Sequence, residues 1–345
     1  MKPENLCLLN ASNPINIEKE SDVYVDYRKG PSSYFEGNKM VKKAISWHSI
    51  PASFSSEFFV YKKTGWQESL KYDHVLVGIK DDPGAVIPLI KKLKLMKKIV
   101  GVFYHENQDY FSLQAQNLQW LKAMKVACDK ADYFWNSNIP AHDFFASLID
   151  RPVFSCWLGF PYGIWDHDFS VPEENREGII IGTRTLSQQL RRNSIFAIGI
   201  VNKVAENLGV PVTYFSEDGI ATKDLQEIFK DMGIGNTRII PGPVSYEDWL
   251  KLIAVHKVMV HADSSGTVGQ VVGDAAMVNV PCVGGMTTNN LLLGTASSLD
   301  SLSALVAEAY ENPGRADLEK FKKGTSLESL KKEHENTLFP MIKAK

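Results

Sequence analysis

The chain has 345 residues, 44% of them hydrophobic and 23% charged, with a formal net charge of −2. That is enough apolar material for a sizeable core and length enough for two domains. A near-neutral balance excludes a protein that grips duplex nucleic acid by charge alone, and no apolar run reaches the ~18 residues that a membrane-spanning helix needs.

Cys7, Cys128, Cys156 and Cys282 are scattered without a CxxC pair, which argues against a zinc site and a disulfide framework. The opening "MKPENLCLLNASN" has no basic region followed by an apolar stretch, so no secretory signal is expected and a reducing cytoplasm is the simplest compartment. Charge is uneven. Residues 1–160 carry 20 Lys and Arg against 17 Asp and Glu, the remainder 18 against 23, so an anionic partner belongs with the first half.

In chain order, strands are predicted at Leu6–Leu9, Asp22–Tyr27, His74–Gly78, Lys98–Tyr104 and Tyr133–Asn136, and helices at Val86–Leu95, Ser112–Lys130 and Pro140–Leu148. The pattern breaks over "GFPYGIWDHDFSVPEENREG", where a domain junction is expected. It then restarts with strand Gly178–Gly182, helix Ser187–Leu208, strand Pro211–Phe215, helix Lys223–Met232, strand Arg238–Ile240, helix Tyr246–Val255 and strand Lys257–His261. A Gly-rich turn follows, then a helix near Gly269–Met277, strand Pro281–Val283, and helices over Leu302–Tyr310 and Ser326–His334. Apolar runs alternating with helical periods describe an α/β protein with parallel sheets. The expected organisation is a domain over 1–160, a linker over 161–177, a second domain over 178–325, and a C-terminal helix over 326–345 that packs back on the first domain. Two doubly wound halves face a cleft in this reading.

Two stretches carry the chemistry. In "GVFYHENQDY" an apolar strand ends abruptly in His105, Glu106, Asn107 and Gln108, and the carboxyl edge of an open α/β sheet is where ligands bind. The other reading of this tetrad is a helix cap in which Asn107 and Gln108 bond loop amides. In "HADSSGTVGQVVGDAAMVNVPCVGG" a strand runs into Ser264, Ser265, Gly266 and Thr267 and then a small-residue helix. Backbone amides at such a turn suit a phosphate, although Gly266, Gly269 and Gly273 also allow close helix-to-sheet packing. "KKLKLMKK" at 91–98 suits an acidic membrane surface, a nucleic-acid backbone, or simply solvent. "DHD" at 166–168 has metal-ligand spacing but falls in the linker. His48 and His261 are single histidines, each read as structural before catalytic, with His48 the better outside candidate for the cleft.

The second half, through "EGIIIGTRTLSQQLRR", "IIPGPVSYEDWLKLIAVHKVMV" and the Gly-rich segment, resembles the nucleotide-sugar-binding half of a GT-B glycosyltransferase of the family 4 type over most of residues 178–285. That family opens its donor domain with a strand, a glycine and an arginine, and a second basic residue follows. A G-x-V-S element then precedes a helix, and an acidic residue heads EAMA-x-G-x-PVV. The positions here that match are Gly182 and Arg184, then Arg191 or Arg192, then Gly242, Pro243, Val244 and Ser245, then Asp274. The resemblance implies a retaining enzyme without a metal or cofactor. It takes a nucleoside-diphosphate sugar as co-substrate, with Arg184 and Arg191 on the phosphates and Asp274 accepting from ribose hydroxyls. Each arginine also reads as a solvated charge near a helix start. The chain departs from the family in one respect. The first of the usual two glutamates, eight positions apart, falls on Gly266, which leaves its contacts to Ser264, Ser265 or Thr267, or to a different donor.

"YHENQ" at 104–108 and "ADYFWNSNIPAHDFF" at 131–145 resemble stretches of the tRNA-queuosine mannosyltransferases, with a looser echo at "SWHSIPASF". This resemblance implies that His105 and Glu106 work beside the transferring sugar, that His48, Asn107 and Gln108 line the acceptor side, and that the acceptor is a modified nucleoside in DNA or RNA. Three alternatives stay open: a lipid-linked or cell-surface glycan acceptor with peripheral membrane contact, a nucleotide-sugar 2-epimerase, and a non-catalytic binding module motivated by the missing glutamate. No obligate protein partner is implied.

Overall fold

The computed structural model describes residues 2, 4–11, 24–26, 35–36, 39–40, 49–60, 65–79, 81–104, 108–160, 168–182, 194–216, 222–231, 233, 237–242, 244–262, 270–284 and 299–344. The chain divides into two compact units, one made of residues 1–164 and 325–345 and the other of residues 165–324.

The first unit is built on a seven-stranded sheet. Its strands are β1 (Leu6–Asn10), β2 (Tyr24–Asp26), β5 (Glu57–Val60), β6 (His74–Ile79), β7 (Ile99–Tyr104), β8 (Tyr133–Asn136) and β9 (Val153–Ser155), in the order β2-β5-β1-β6-β7-β8-β9. A separate two-stranded ribbon pairs β3 (Phe35–Glu36) with β4 (Lys39–Met40). Every residue of "HVLVGI" and "IVGVFY" in the central strands is buried. Such unbroken apolar runs mark a sheet covered on both faces, and all its pairings are parallel except β2 with β5. The helix Pro83–Leu95 starts where the Asp82 side chain accepts from the Ala85 amide at 3.1 Å and Pro83 presets the first turn. It lays Val86, Leu89, Ile90 and Leu93 on the sheet, and the helix Leu118–Lys130 adds Trp120, Met124, Ala127 and Cys128 at the same period.

The second unit has five parallel strands, β10 (Ile179–Ile181), β11 (Val212–Ser216), β12 (Thr237–Pro241), β13 (Val258–His261) and β14 (Cys282–Gly284), in the order β12-β11-β10-β13-β14. Ala197, Ile198, Val201 and Val204 from the helix Ser194–Leu208 and Leu302, Val306 and Ala309 from Leu299–Glu311 share its core.

Residues 325–344 join the first unit. The Phe160 amide donates to the Thr325 carbonyl at 2.7 Å and the Leu327 amide to the Phe160 carbonyl at 3.2 Å, a parallel bridge that leaves no room at Gly159. A Cβ there would lie 2.9 Å from Leu327 Cα and from the Ser326 carbonyl. Beyond it the segment is a helix Leu327–Glu333, a π turn His334–Leu338 and a helix Phe339–Lys343.

Two local readings are corrected. The predicted helix Ser112–Lys130 is two helices, Gln108–Ala115 and Leu118–Lys130, because Asn117 turns its side chain onto the amides of Gln119 and Trp120 and starts the second one. The sequence reading missed β5 and β9, each too short to show a period. Among the described residues no helix is long and apolar enough to cross a membrane.

Candidate functional site

In the second sheet the chain steps outward from β10 to β11 and β12, then returns to the other side of β10 as β13. The two central strands therefore end beside each other where the strand order reverses, the arrangement in which open α/β sheets hold ligands. Ile181 is paired with Val260, and the Gly182 amide donates to the Val260 carbonyl at 2.8 Å. A Cβ at Gly182 would meet Met259 Sδ at 2.7 Å and Val271 Cγ1 at 2.8 Å, so glycine is required for the helix after β13 to approach the end of β10.

The segments leaving this edge, 183–193 and 263–269, hold Arg184, Arg191, Ser264, Ser265, Gly266 and Thr267, all of which lie outside the described residues. Gly242 directly follows β12 and Pro243 lies outside the described residues. Ser245 then caps the helix Tyr246–Ala254, accepting from the Asp248 amide at 3.0 Å.

Asp274 is fully buried on the helix Gln270–Met277. Its carboxylate accepts a hydrogen bond from the Tyr246 hydroxyl, and another from Trp249 Nε1 at 2.9 Å. Trp249 in turn packs on Phe215 at the end of β11, ring centroids 5.2 Å apart. Tyr246 and Trp249 escaped the sequence reading. The available signal was "SYEDWL", an aromatic pair three residues apart on one helix face.

At the carboxyl edge of the first sheet, β7 ends at Tyr104, paired with Ile79 on one side and Asn136 on the other. His105, Glu106, Asn107 and His48 lie outside the described residues, as does the side chain of Gln108, whose backbone begins the helix Gln108–Ala115. The neighbouring strand end is a knot of buried polar groups, Asn136, Ser137 and Asn138. Asn136 Nδ2 donates to the Tyr104 carbonyl at 3.0 Å while its Oδ1 accepts from the Asn138 amide at 2.8 Å. That pair of bonds fixes the strand end from which the tetrad departs.

The other candidates have local roles. Lys94 bonds both oxygens of Asp132, Lys98 donates to the Leu70 carbonyl at 2.7 Å, and Lys92 lies over the Trp66 ring. Much of the "KKLKLMKK" charge is thus engaged within its own unit, although Leu95 is 84% exposed. Asp168 accepts from the Ser170 amide, and this hydrogen bonding with Ser170 holds its carboxyl below the usual value; Asp166 and His167 lie outside the described residues. His261 is fully buried in β13. All four cysteines are free and buried, and burial pushes their thiols well above the ordinary value, so none is available as a thiolate nucleophile.

No described protein family matches the sequence, and no curated protein matches it. Solved structures do. The Anabaena protein Alr3699/HepE, crystallised with UDP, superposes with a TM-score of 0.63 at 11% identity over 97% of this chain and 99% of its own. Sucrose-phosphate synthase from Thermosynechococcus elongatus gives 0.60 at 10% identity over 99% and 100%. The pneumococcal O-GlcNAc transferase GtfA, in complex with UDP and GlcNAc, gives 0.54 at 14% identity; 78% of this chain is covered, but it spans only 57% of that chain. At these identities the likeness establishes architecture. The chain has the GT-B fold, two Rossmann-like α/β units each built on a largely parallel sheet, and shares it with glycosyltransferases solved with UDP bound.

Proposed function

We propose that the protein is a retaining, metal-independent glycosyltransferase that moves a sugar from a nucleoside diphosphate to an acceptor hydroxyl. The observation that carries this reading is the paired ending of β10 and β13 at the reversal of strand order, from which 183–193 and 263–269 both depart. Arg184 and Arg191 and the segment Ser264–Thr267 are assigned the donor phosphates, where charge develops as the sugar leaves. His105 and Glu106 are assigned the transferring sugar, and His48, Asn107 and Gln108 the acceptor. UDP in two of the similar structures makes it the first nucleotide to try.

The test is a thermal-shift series of nucleoside diphosphates and their sugar conjugates, with EDTA present, on the wild type and Arg184→Ala. A ligand at about 100 times its dissociation constant adds roughly 2.7 kcal/mol of stability. One nucleotide should stabilise the wild type, and Arg184→Ala should cut transfer about a hundredfold. Undiminished turnover in that variant would remove Arg184 from the site.

For the acceptor we favour a modified nucleoside in nucleic acid, on the likeness of "YHENQ" and the excess of basic residues before position 160. Polynucleotide binding should weaken steeply between low and moderate salt. Salt-insensitive binding of a neutral glycan would decide for the glycan acceptor instead.

A further inference from the structure

We infer that residues 91–98, the end of the helix Pro83–Leu95 and the turn after it, form a docking site for a membrane surface that carries anionic lipid. The site is independent of the donor reading. It also lies at the opposite end of the first sheet from the candidate residues, since Lys98 leads directly into β7, whose far end is Tyr104.

The stretch holds five lysines and no acid. Among the described residues Lys94 alone of the five has an acidic partner, Asp132. Lys92 lies over the Trp66 ring and Lys98 donates to the Leu70 carbonyl, contacts that hold the side chains and leave the charge in place. Apolar surface accompanies this charge. Val86, Leu89, Ile90 and Leu93 face the core, which leaves Lys91, Lys92 and Leu95 together on the outer side of the helix. Leu95 is 84% exposed and Met96, next to it, 46%. The groove alongside, lined by Lys94, Lys98, Tyr133, Met341 and Ile342 among others, continues the mixture of cations and apolar groups onto the helix Phe339–Lys343.

The backbone adds a separate observation. The Lys97 amide donates to the Lys94 carbonyl at 2.9 Å and the Lys98 amide to the Leu93 carbonyl at 3.1 Å, a closure that puts Lys97 at φ of 59°, in the left-handed region. Glycine takes this conformation without strain. A cation is kept there despite the strain, which points to a use for its charge. A lipid surface fits these features better than a polynucleotide does. Both offer phosphates to the lysines, but only a bilayer offers an acyl boundary in which Leu95 and Met96 leave water.

Co-sedimentation of the full chain with vesicles tests the inference, one set of phosphatidylcholine alone and the other containing about a third phosphatidylserine. The wild type should bind the mixed vesicles and not the neutral ones, less so as salt rises. Lys97→Gly should weaken this binding about fivefold, the effect of one lysine near an anionic surface, while Tm rises by about 2 °C as the strain is relieved. Leu95→Ser should weaken it about tenfold. Because Leu95 is exposed, that variant keeps the wild-type Tm, so its loss of binding is not a loss of fold.

Binding that ignores lipid charge, or binding to neither kind of vesicle, overturns the inference. So does wild-type vesicle binding by Lys97→Gly or by Leu95→Ser. If the chain instead binds single-stranded RNA, with Lys97→Gly weakened and Leu95→Ser unaffected, the lysines serve a polynucleotide backbone and the membrane site is overturned.

Discussion

Asn279 shows how one side chain fixes a chain crossing. It follows the helix Gln270–Met277 with φ of 59°, in the left-handed region, and its carbonyl accepts from Arg176 Nη1 at 2.6 Å. Its amide Nδ2 donates to Ser170 Oγ at 2.9 Å, and its Oδ1 accepts from Lys322 Nζ. Four segments of the second unit meet there. Asn279→Gly keeps the backbone and loses the side-chain bonds, whereas Asn279→Ala loses both. Alanine should therefore cost about 1 kcal/mol more than glycine in urea unfolding. Equal losses would show that the backbone strain is relieved elsewhere. Counted from Asp274, Asn279 stands at the glycine of the EAMA-x-G-x-PVV pattern, and a left-handed asparagine is the natural substitute there, a signal the sequence reading did not use. The bonds of Asp274 were not legible in the same way, because Tyr246 and Trp249 lie in another helix and nothing local in "DAAM" points to them.

At the scale of elements, long buried runs and helices with a clear period could be read from the sequence, as β6, β7 and the helix Pro83–Leu95 illustrate. The strands β5 and β9 could not, because their partners lie far along the chain, and the helix break at Asn117 went unread although its bonds to Gln119 and Trp120 are local. The π turn His334–Leu338 adds a titratable group. His334 is fully buried among Trp135, Phe54 and Phe154, with ring centroids 4.7 to 5.2 Å away. Nδ1 lies 2.7 Å from the Leu330 carbonyl and Nε2 has no partner. Burial, with His74 nearby, holds its pKa down at about 3, and burial also lowers His256 in the second unit to about 4. The unfolded chain takes up these protons near pH 6.5, whereas the folded chain refuses them. Stability is thus fully present above about pH 6.5 and is lost as pH falls towards the folded values, by about 2 kcal/mol per histidine at pH 5. His334→Phe should flatten the dependence of the melting temperature between pH 6.5 and 5; an unchanged slope would assign the proton uptake to other groups.

The whole molecule is organised by a chain that leaves the first unit before residue 165 and rejoins it at residue 325. The seam is the bridge between Phe160 and Ser326, packed so closely that Gly159 has no space for a side chain. Gly159→Ala should force these backbones apart at a cost of about 1–3 kcal/mol and expose residues 325–344 to limited proteolysis before the rest of the chain is cut. Cleavage starting in the second unit would place the weak point elsewhere. The two-sheet architecture was legible from alternation alone. The segments that carry most candidate residues, including His105 and Arg184, lie outside the described residues.

That returning segment also sets an order of events during synthesis on the ribosome. The strands of the first sheet emerge early, but the groups that close over Trp135 and Phe154 emerge only after the whole second unit has been made. Throughout that interval the nascent first unit presents an uncovered aromatic face. A helper that shields apolar surface, or a slow stretch of translation after residue 324, would act there, and a premature stop anywhere in the second unit would leave that face permanently open.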